Sequence, residues 1–448
     1  MKINFASINY YKLILLHIVL APVLLYLTFL DKAFGILLPI IGYLYIVKYQ
    51  NQNEEALFAS AYIVGIEVFL KMTNSFVVYE IGKYAVIAYL VLGMYYKGFS
   101  KNSVIYWIFL VLLVPGIVVA TYSLNFDAEI RKTIAFNISG PICLGVASIY
   151  CYRRPFTFKQ LNNLLLVIGL PVVSIVTTMF LVAPNLKYVI KGTASNVSAA
   201  GNWAANQVAT IVGLGMFCIF ARILFNSKDK LVLFLNFILL LLFSFRGIAT
   251  FSRGGIFTSL AMMIILTIII FLISNSKIKS RIFVGVGFSF FIIFMLWSFL
   301  SAQTNGMIDK RYANQDPSGR VKASKFTGRE DLFAEELNFF LENPILGIGV
   351  GKSREYRLED SGIDAATHSE ISRMLSEHGS FGVLSLLILF ITPLILYTDN
   401  KYHIYLLPFF VYWLFTINHA AMRLAAPAFV YALSLLKVNF DENPLHRK

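Results

Sequence analysis

Long apolar runs alternate with short polar turns along almost the whole chain. The runs are 15 to 22 residues long, and most of them are long enough for a helix to cross a bilayer. They lie near residues 13–29, 33–47, 56–71, 79–95, 103–122, 133–150, 162–183, 206–225, 231–245, 254–273, 282–300, 381–397, 402–416 and 420–436. The pattern therefore predicts an all-α polytopic membrane protein with roughly 12–14 transmembrane helices.

One long polar stretch, residues 301–377, separates the eleventh run from the last three. We therefore expect three parts: residues 1–300 with transmembrane helices 1–11, a loop domain at 301–377, and residues 378–448 with the last helices and a cytoplasmic tail. Within the loop, "DKRYANQDPSGRVKASK" has no core-forming pattern and predicts a mobile loop. The stretch "TGREDLFAEELNFFLENP" predicts an amphipathic helix at the bilayer surface. Its apolar stripe consists of Leu332, Phe333, Leu337, Phe340 and Leu341.

Composition and charge fit a membrane protein. Hydrophobic residues make up 58% of the chain and charged residues only 14%, whereas a soluble domain carries more charge. The net charge is +14, and much of it lies in short turns such as "YKGFSK", "YRRPFTFK", "NSKIKSR" and the tail "ENPLHRK". Because basic loops stay in the cytoplasm, this distribution places residues 301–377 on the outer face, the periplasm of a bacterium. We expect a multi-pass protein of the bacterial inner membrane, with no role for nucleic acid.

Two arginines stand in the outer turn "RGIATFSRGG" between the ninth and tenth runs. Arg246 and Arg253 are seven residues apart and would share a face on one helix. Gly254 and Gly255 permit a close backbone approach where the next helix begins, and a helix N-terminus favours anions. The arginines either extend to lipid headgroups or form an anion site at the membrane surface.

A histidine begins the helix predicted by "THSEISRMLSEHGSFGVLSLL". His368 lies at the water-facing edge of the next span, where a neutral imidazole can accept a proton from a sugar hydroxyl. A purely structural or solvated histidine is the alternative. His378 is the competing base, but Gly379 after it indicates a helix end, which favours His368.

At these residues the sequence resembles the O-antigen ligase / O-antigen polymerase superfamily. The matching pieces are "GNWAANQVATIVGLG", "TFSRGGIFTSL", "GREDLFAEELNFFLENPILGIGVG" and "THSEISRMLSEHGSFGVLSLL". The resemblance implies a GT-C-like helical fold, an undecaprenyl-diphosphate-linked glycan donor, inversion at the anomeric centre, and no metal or other cofactor. It also implies that Arg253 binds the diphosphate, that His368 is the catalytic base, and that Arg329 lies near the site. Arg246 matches no family motif and is added as a diphosphate ligand on geometry alone.

Further polar residues flank these motifs. Asn202, Asn206 and Gln207 stand where the eighth span begins, and they either contact sugar or phosphate or only cap and pack the helix. Near the histidine, Glu370 and Arg373 complete the expected substrate-binding set. Glu370 and Glu377 either orient His368 or Arg373 or are plain solvated charges, and a solvated charge is favoured for Glu377. The family pattern often has Asn after the histidine, but this chain has Ser369, which leaves the acceptor open.

The leading functional hypothesis is a ligase that transfers a glycan to a hydroxyl of lipid A–core. A polymerase would use the same donor and a lipid-linked glycan acceptor, and a protein O-glycosylation ligase is a further alternative. A transporter or flippase would also have many spans, but it typically has repeats and mid-membrane charges. Here the main charges within spans are Glu67 and Lys83, near outer ends, and no repeat is visible. The expected partners are therefore the lipid-linked donor, the acceptor and membrane lipids.

Overall fold

The computed structural model describes residues 10–125, 129–227, 229–322, 329–362, 367, 369–419 and 422–440. For residues 329, 360 and 361 it describes only the backbone. Within these limits the chain is almost entirely helical and has one pair of short strands.

Every apolar run of the sequence coincides with a helix, or in one case with two consecutive helices. The helices, in chain order, are α1 Tyr10–Tyr26, α2 Asp31–Tyr49, α3 Glu55–Met72, α4 Ile81–Lys97, α5 Val104–Leu112, α6 Val114–Ser123, α7 Ile130–Cys151, α8 Phe158–Val182, α9 Leu186–Val189, α10 Ala205–Phe225, α11 Lys230–Ala249, α12 Arg253–Ile273, α13 Ser276–Gln303, α14 Met307–Tyr312, α15 Arg329–Glu342, α16 Lys352–Ser361, α17 Glu370–Asp399, α18 Leu406–Ile417 and α19 Ala425–Leu433. The strands are β1 Pro155–Thr157 and β2 Lys437–Asn439.

Among the described residues, nine helical segments are long and apolar enough to cross a membrane. They are α2, the α5–α6 pair, α7, α8, α10, α11, α12, α13 and α17, while α1 and α18 are apolar but shorter. The apolar window of α13 has no buried residues, which suits a helix that faces lipid. These segments confirm the prediction of an all-α, multi-pass membrane protein.

Both α3 and α4 contain buried charged side chains. In α3, Lys71 Nζ lies 3.0 Å from Glu67 Oε1, and both side chains are fully buried. In α4, the buried Lys83 donates from Nζ to the carbonyl oxygen of Met422 at 3.2 Å. Charges within a membrane protein are tolerated when they are paired inside the protein. The two charges noted in the sequence, Glu67 and Lys83, therefore both have protein partners.

The first of two compact units comprises Met1–Tyr45, Leu57–Ile81 and Lys159–Lys322. At its centre α10 packs against α11 and α12. Glycines bring the backbones of α10 and α12 into contact: a Cβ on Gly255 would lie 2.3 Å from Ala209 O, and one on Gly213 would lie 2.5 Å from Gly255 O. Small residues allow this close approach of membrane helices. The close approach expected at Gly255 is confirmed.

The second unit comprises Ile46–Ala56, Gly82–Phe158 and Ala323–Lys448. In this unit α7 packs against α5 and α19, and α17 packs against α5, α15, α16 and α18. β1 and β2 pair in parallel, with Phe156 opposite Val438. A hydrogen bond of 2.9 Å between the Tyr106 and Tyr431 hydroxyls joins α5 to α19.

The "GIGVG" turn packs onto a break in α17. Gly379 interrupts that helix with a φ of 59°, as the sequence indicates. The turn donates from Ile348 N to Ser376 O at 2.9 Å, and Ser380 N donates back to Pro344 O at 2.8 Å. A Cβ on Gly347 would lie 2.5 Å from the carbonyl carbon of Glu377. Only glycine fits this contact, which confirms the tight turn predicted there.

The polar segment 301–377 contains local secondary structure. Its first part forms α14 and then an isolated bridge between Gln315 and Val321. The mobility of the loop at residues 309–325 stays a prediction. The amphipathic helix is confirmed as α15, and α17 begins at Glu370, two residues after the start expected at His368. The predicted parts 1–300, 301–377 and 378–448 are divided by their side of the membrane. The two compact units are defined by packing alone, so the three-part division stays a prediction.

Candidate active site

Arg253 is the first residue of α12, and its side chain is half-buried. Two hydrogen bonds from other elements hold the turn before it. Arg311 at the end of α14 donates from Nε to Phe251 O at 3.0 Å. Ser252 Oγ donates to Asn206 Oδ1 of α10 at 2.9 Å. The position of Arg253 at a helix N-terminus is therefore set by α10 and α14.

Phe251 occupies an unusual backbone conformation in this turn. Its φ is 60°, in the left-handed region that bulky residues rarely adopt. A strained backbone conformation of this kind persists only where the surrounding packing holds it in place. The buried Phe251 side chain belongs to a cluster with Leu186, Ile190, Ala199, Ala249, Leu300 and Ile308. Burial of the phenyl ring thus holds the turn that presents Arg253.

Tyr312 lies within electrostatic reach of Arg253 and Arg311. Burial raises the pKa of Tyr312 to about 12, and the charges of the two arginines oppose that rise. Its ring packs edge-on against Trp297 at 4.8 Å and Phe257 at 5.9 Å between ring centres. The guanidinium groups of Arg253 and Arg311 and the neutral Tyr312 phenol therefore lie near one another at the N-terminus of α12. Such a set of donors suits a phosphate group.

Arg246 has a different environment. Its side chain is buried, Nη1 donates to Ala183 O at 2.9 Å, and the guanidinium carbon lies 3.9 Å from the Phe180 ring centre. The expectation that Arg246 and Arg253 share one helical face is wrong, because α11 ends at Ala249 and α12 begins at Arg253. A diphosphate contact by Arg246 stays a prediction and would require the guanidinium to leave the Phe180 ring.

The three amides near the start of α10 differ in exposure. Asn202 is exposed and has a φ of 61°. Asn206 accepts the serine hydrogen bond described above. Gln207 is buried, and both ends of its amide are bonded: Oε1 accepts from Trp203 Nε1 at 3.2 Å, and Nε2 donates to Tyr79 OH at 3.1 Å. Substrate contacts by these residues stay predictions, and Asn202 is the one with an exposed side chain.

In the second unit, Arg373 joins several residues around the start of α17. Its Nη2 forms a close ion pair with Glu370 Oε1, and its Nη1 donates to Asn137 O at 2.7 Å. The other oxygen of Glu370 accepts from Met422 N at 3.4 Å. The structure thus pairs two residues of the expected substrate-binding set, as proposed for Glu370.

Glu377 is a correction to the sequence-based interpretation. A solvated charge was expected, but only 1% of the residue is exposed. Its Oε2 lies 3.7 Å from Arg373 Nη1, and its Oε1 accepts from Ser353 Oγ at 3.1 Å. A buried carboxylate is costly unless it is paired, and Arg373 supplies a nearby cation.

A small pocket opens beside Arg373. It measures about 20 Å³, which is room for about one water molecule. The lining residues are Phe136, Asn137, Thr367, Glu370, Arg373, Met422 and Arg423. The described lining of this pocket offers polar groups to a hydroxyl of that size.

Thr367 is tied to three charged side chains that the sequence analysis missed. Its hydroxyl accepts from Arg357 Nη2 at 3.0 Å and donates to Glu336. Its carbonyl oxygen accepts from Arg423 Nη2 at 3.0 Å. Arg357 and Arg423 lie outside the motifs, and Glu336 was not singled out within its motif, because the three come from α16, the segment before α19 and α15. The turn preceding α12 likewise depends on Arg311, in a stretch expected to be a loop.

Two expected site residues lie beyond what the structure describes. His368 is outside the described residues. Arg329 is the first residue of α15, and its side chain is not described. The competing base, His378, is buried in α17, and a Cβ on Gly116 would lie 2.3 Å from its Nδ1. This enclosure leaves His378 no access for a substrate, which favours His368.

Comparison with known proteins gives one match. Residues 237–387 match a family model described as O-antigen ligase. The matched segment includes most of the expected site residues, which are Arg246, Arg253, Arg329, His368, Glu370 and Arg373. A search of curated proteins found no match to the chain. The resemblance that the sequence motifs indicate is confirmed for this segment.

Proposed function

We propose, from the match of residues 237–387 to a family model described as O-antigen ligase, that the protein is a ligase of lipid-linked glycans. It would transfer a glycan from undecaprenyl diphosphate to a hydroxyl of lipid A–core. The reaction would take place at the periplasmic face of the bacterial inner membrane, on a GT-C-like fold. The family match is the observation that carries this proposal, and the distribution of basic loops supports the orientation.

The diphosphate of the donor would bind at the N-terminus of α12. Arg253 would supply charge-assisted hydrogen bonds to the departing diphosphate, and the charge of Arg311 would reinforce them. The N–H groups of the first turn of α12 would add to this attraction. Arg329 would be a further ligand. Arg246 would contact the diphosphate only after moving from its aromatic neighbours, so we assign it the weakest part in donor binding.

The acceptor would be activated by His368. Its imidazole would take the hydroxyl proton while the hydroxyl oxygen attacks the anomeric carbon from the side opposite the diphosphate. The bond between the anomeric carbon and the diphosphate oxygen would break, and undecaprenyl diphosphate would leave with the bonding electrons. This single displacement inverts the anomeric centre and uses no cofactor. Glu370 and Arg373, which line the small pocket, would contact the acceptor.

A transfer assay tests the proposal. Purified protein would receive an undecaprenyl-diphosphate oligosaccharide, with lipid A–core in one tube and no added acceptor in the other. His368→Ala and Arg253→Ala would run beside the unmodified protein. Arg320→Ala is the matched control for Arg253, because Arg320 is largely exposed and forms a surface ion pair with Asp316.

Each outcome has a definite meaning. Glycan on lipid A–core that is lost in both variants but kept in the control would support the ligase. Longer lipid-linked chains in the tube without lipid A–core would identify a polymerase instead. Absence of transfer in both tubes, with a reference ligase active on the same substrates, would reject both assignments.

A further inference from the structure

A single buried carboxylate in α15 holds three separate segments of the second unit. Glu336 is only 1% exposed. Its Oε1 accepts from Arg357 Nη1 of α16 at 3.0 Å and from the Thr367 hydroxyl. Its Oε2 accepts from the Ser372 hydroxyl in the first turn of α17. One side chain thus links α15, α16 and the residues that lead into α17.

Arg357 balances the charge of Glu336 inside the protein. It is 2% exposed, and its second contact is Glu335 Oε2 at 3.4 Å, on the partly exposed side of α15. A buried carboxylate needs a cation and hydrogen-bond donors to offset its desolvation. The ion pair with Arg357 meets the first need. The two hydroxyl groups meet the second, and they carry the connection toward α17.

The residues that the carboxylate holds lie on both sides of position 368. Thr367 is fixed through its hydroxyl by Glu336 and Arg357 and through its carbonyl oxygen by Arg423. On the other side, Ser369 caps α17 by accepting from Ser372 N at 3.5 Å. The chain is therefore anchored immediately before and after the residue that we propose as the base.

We propose that Glu336 is a positioning residue for the transfer reaction, acting through the hydroxyl groups of Thr367 and Ser372 to set the backbone that carries His368. This inference rests on the proposed function, since it assumes that His368 is the base. A base must be held close to its productive geometry, and a displacement of about 1 Å can lower the rate by about a hundredfold.

The contact pattern distinguishes positioning from simple stabilisation. If Glu336 only stabilised the fold, its ion pair with Arg357 would be enough to join α15 to α16. The additional hydrogen bonds go to two small hydroxyl side chains that bury little apolar surface. They are directed at the residue before position 368 and at the first turn of α17. Loss of one such hydroxyl should therefore change the orientation of the segment more than the stability of the fold.

The test uses the full-length protein in the transfer assay, with donor and acceptor varied separately and thermal unfolding measured in parallel. Thr367→Val removes the hydroxyl at nearly constant volume, and Thr367→Ser restores it. Glu336→Gln keeps an acceptor but removes the charge. Glu342→Gln, an exposed carboxylate of the same helix, is the control. We expect kcat to fall roughly ten- to hundredfold in Thr367→Val and Glu336→Gln, with donor KM unchanged. The unfolding temperature of Thr367→Val should fall, because Glu336 and Arg357 lose a hydrogen-bond partner, but by too little to unfold the protein at the assay temperature. Thr367→Ser should recover most of the activity.

Other results would overturn the inference. Wild-type kcat in both Thr367→Val and Glu336→Gln, together with inactive His368→Ala, would remove the positioning role and leave the proposed base intact. Losses that only parallel a lower unfolding temperature would show a structural role. Full activity of His368→Ala, or no transfer by the unmodified protein, would reject the proposed mechanism itself and this inference with it.

Discussion

Arg311 Nε donates a hydrogen bond of 3.0 Å to the main-chain oxygen of Phe251. The donor is at the end of α14, in a stretch whose composition suggests a loop. The acceptor is two residues before Arg253, in a turn with a positive φ. This contact makes the geometry of the proposed diphosphate ligand depend on a polar segment some sixty positions later in the chain. Arg311 thus acts on the turn both by this bond and by its charge.

Substitution of the two arginines should therefore affect the reaction to different degrees. We expect Arg253→Ala to lower kcat roughly 10²- to 10³-fold, as removal of a donor to a developing oxyanion does. Arg311→Ala should give a smaller loss, because the turn relaxes while Arg253 remains. Steady-state transfer kinetics would measure both, with Arg320→Ala as the control. Equal activity of Arg253→Ala and the control would contradict the diphosphate role.

The contact of α12 with α10 should not tolerate a methyl group at Gly255. A Cβ there would lie 2.3 Å from Ala209 O, so Gly255→Ala must push the helices apart at a cost of about 1–3 kcal/mol. Gly285→Ala in α13 is the matched control, because a Cβ at Gly285 meets nothing within 4 Å. It should be neutral or slightly stabilising. Thermal unfolding in detergent would compare them, and similar midpoints would refute the packing argument.

Arg246 should act through the fold more than through the donor. Its guanidinium packs on the Phe180 ring and bonds Ala183 O. Arg246→Ala would remove that packing and leave a cavity, with an expected cost of about 2–4 kcal/mol in the free energy of unfolding. We expect donor KM to remain near the wild-type value. A large rise in donor KM with an unchanged unfolding midpoint would instead support the original prediction of a diphosphate ligand.

His403 should make the protein less stable in mild acid. It lies in the turn between α17 and α18, fully buried, with Nε2 2.8 Å from Leu433 O. Burial lowers its pKa from 6.5 to about 4. Between pH 6.5 and pH 4, His403 is therefore protonated in the unfolded chain but neutral in the folded protein. The free energy of unfolding is therefore unaffected by His403 above pH 6.5 and falls by up to about 3 kcal/mol toward pH 4.

The unfolding midpoint measured across this pH range would test that expectation. His403→Gln can keep a hydrogen bond to Leu433 O without a titrating group. Its midpoint should be less dependent on pH than that of the unmodified protein between pH 6.5 and pH 4. Identical pH profiles for the two proteins would show that other groups cause the acid sensitivity.

Several features of the site could be predicted because they are local. Arg253 begins α12 where the apolar run begins, and Gly379 breaks α17 where glycine follows a histidine. Helix ends depend on nearby residues, so pattern and residue type suffice to locate them. The expected common face of Arg246 and Arg253 failed for a related reason. It assumed one continuous helix, but the chain turns between them.

The membrane class of the protein, its helical segments and the resemblance of residues 237–387 to the O-antigen ligase family model can all be read from the sequence. Hydropathy and periodicity act over one helix, so neighbouring residues contain that information. The contacts of Glu336 with Arg357, Thr367 and Ser372, and the burial of Glu377 beside Arg373, arise only when the helices pack. A buried charge selects its partners after helices distant in the chain have packed, because desolvation and hydrogen-bond geometry depend on all of them.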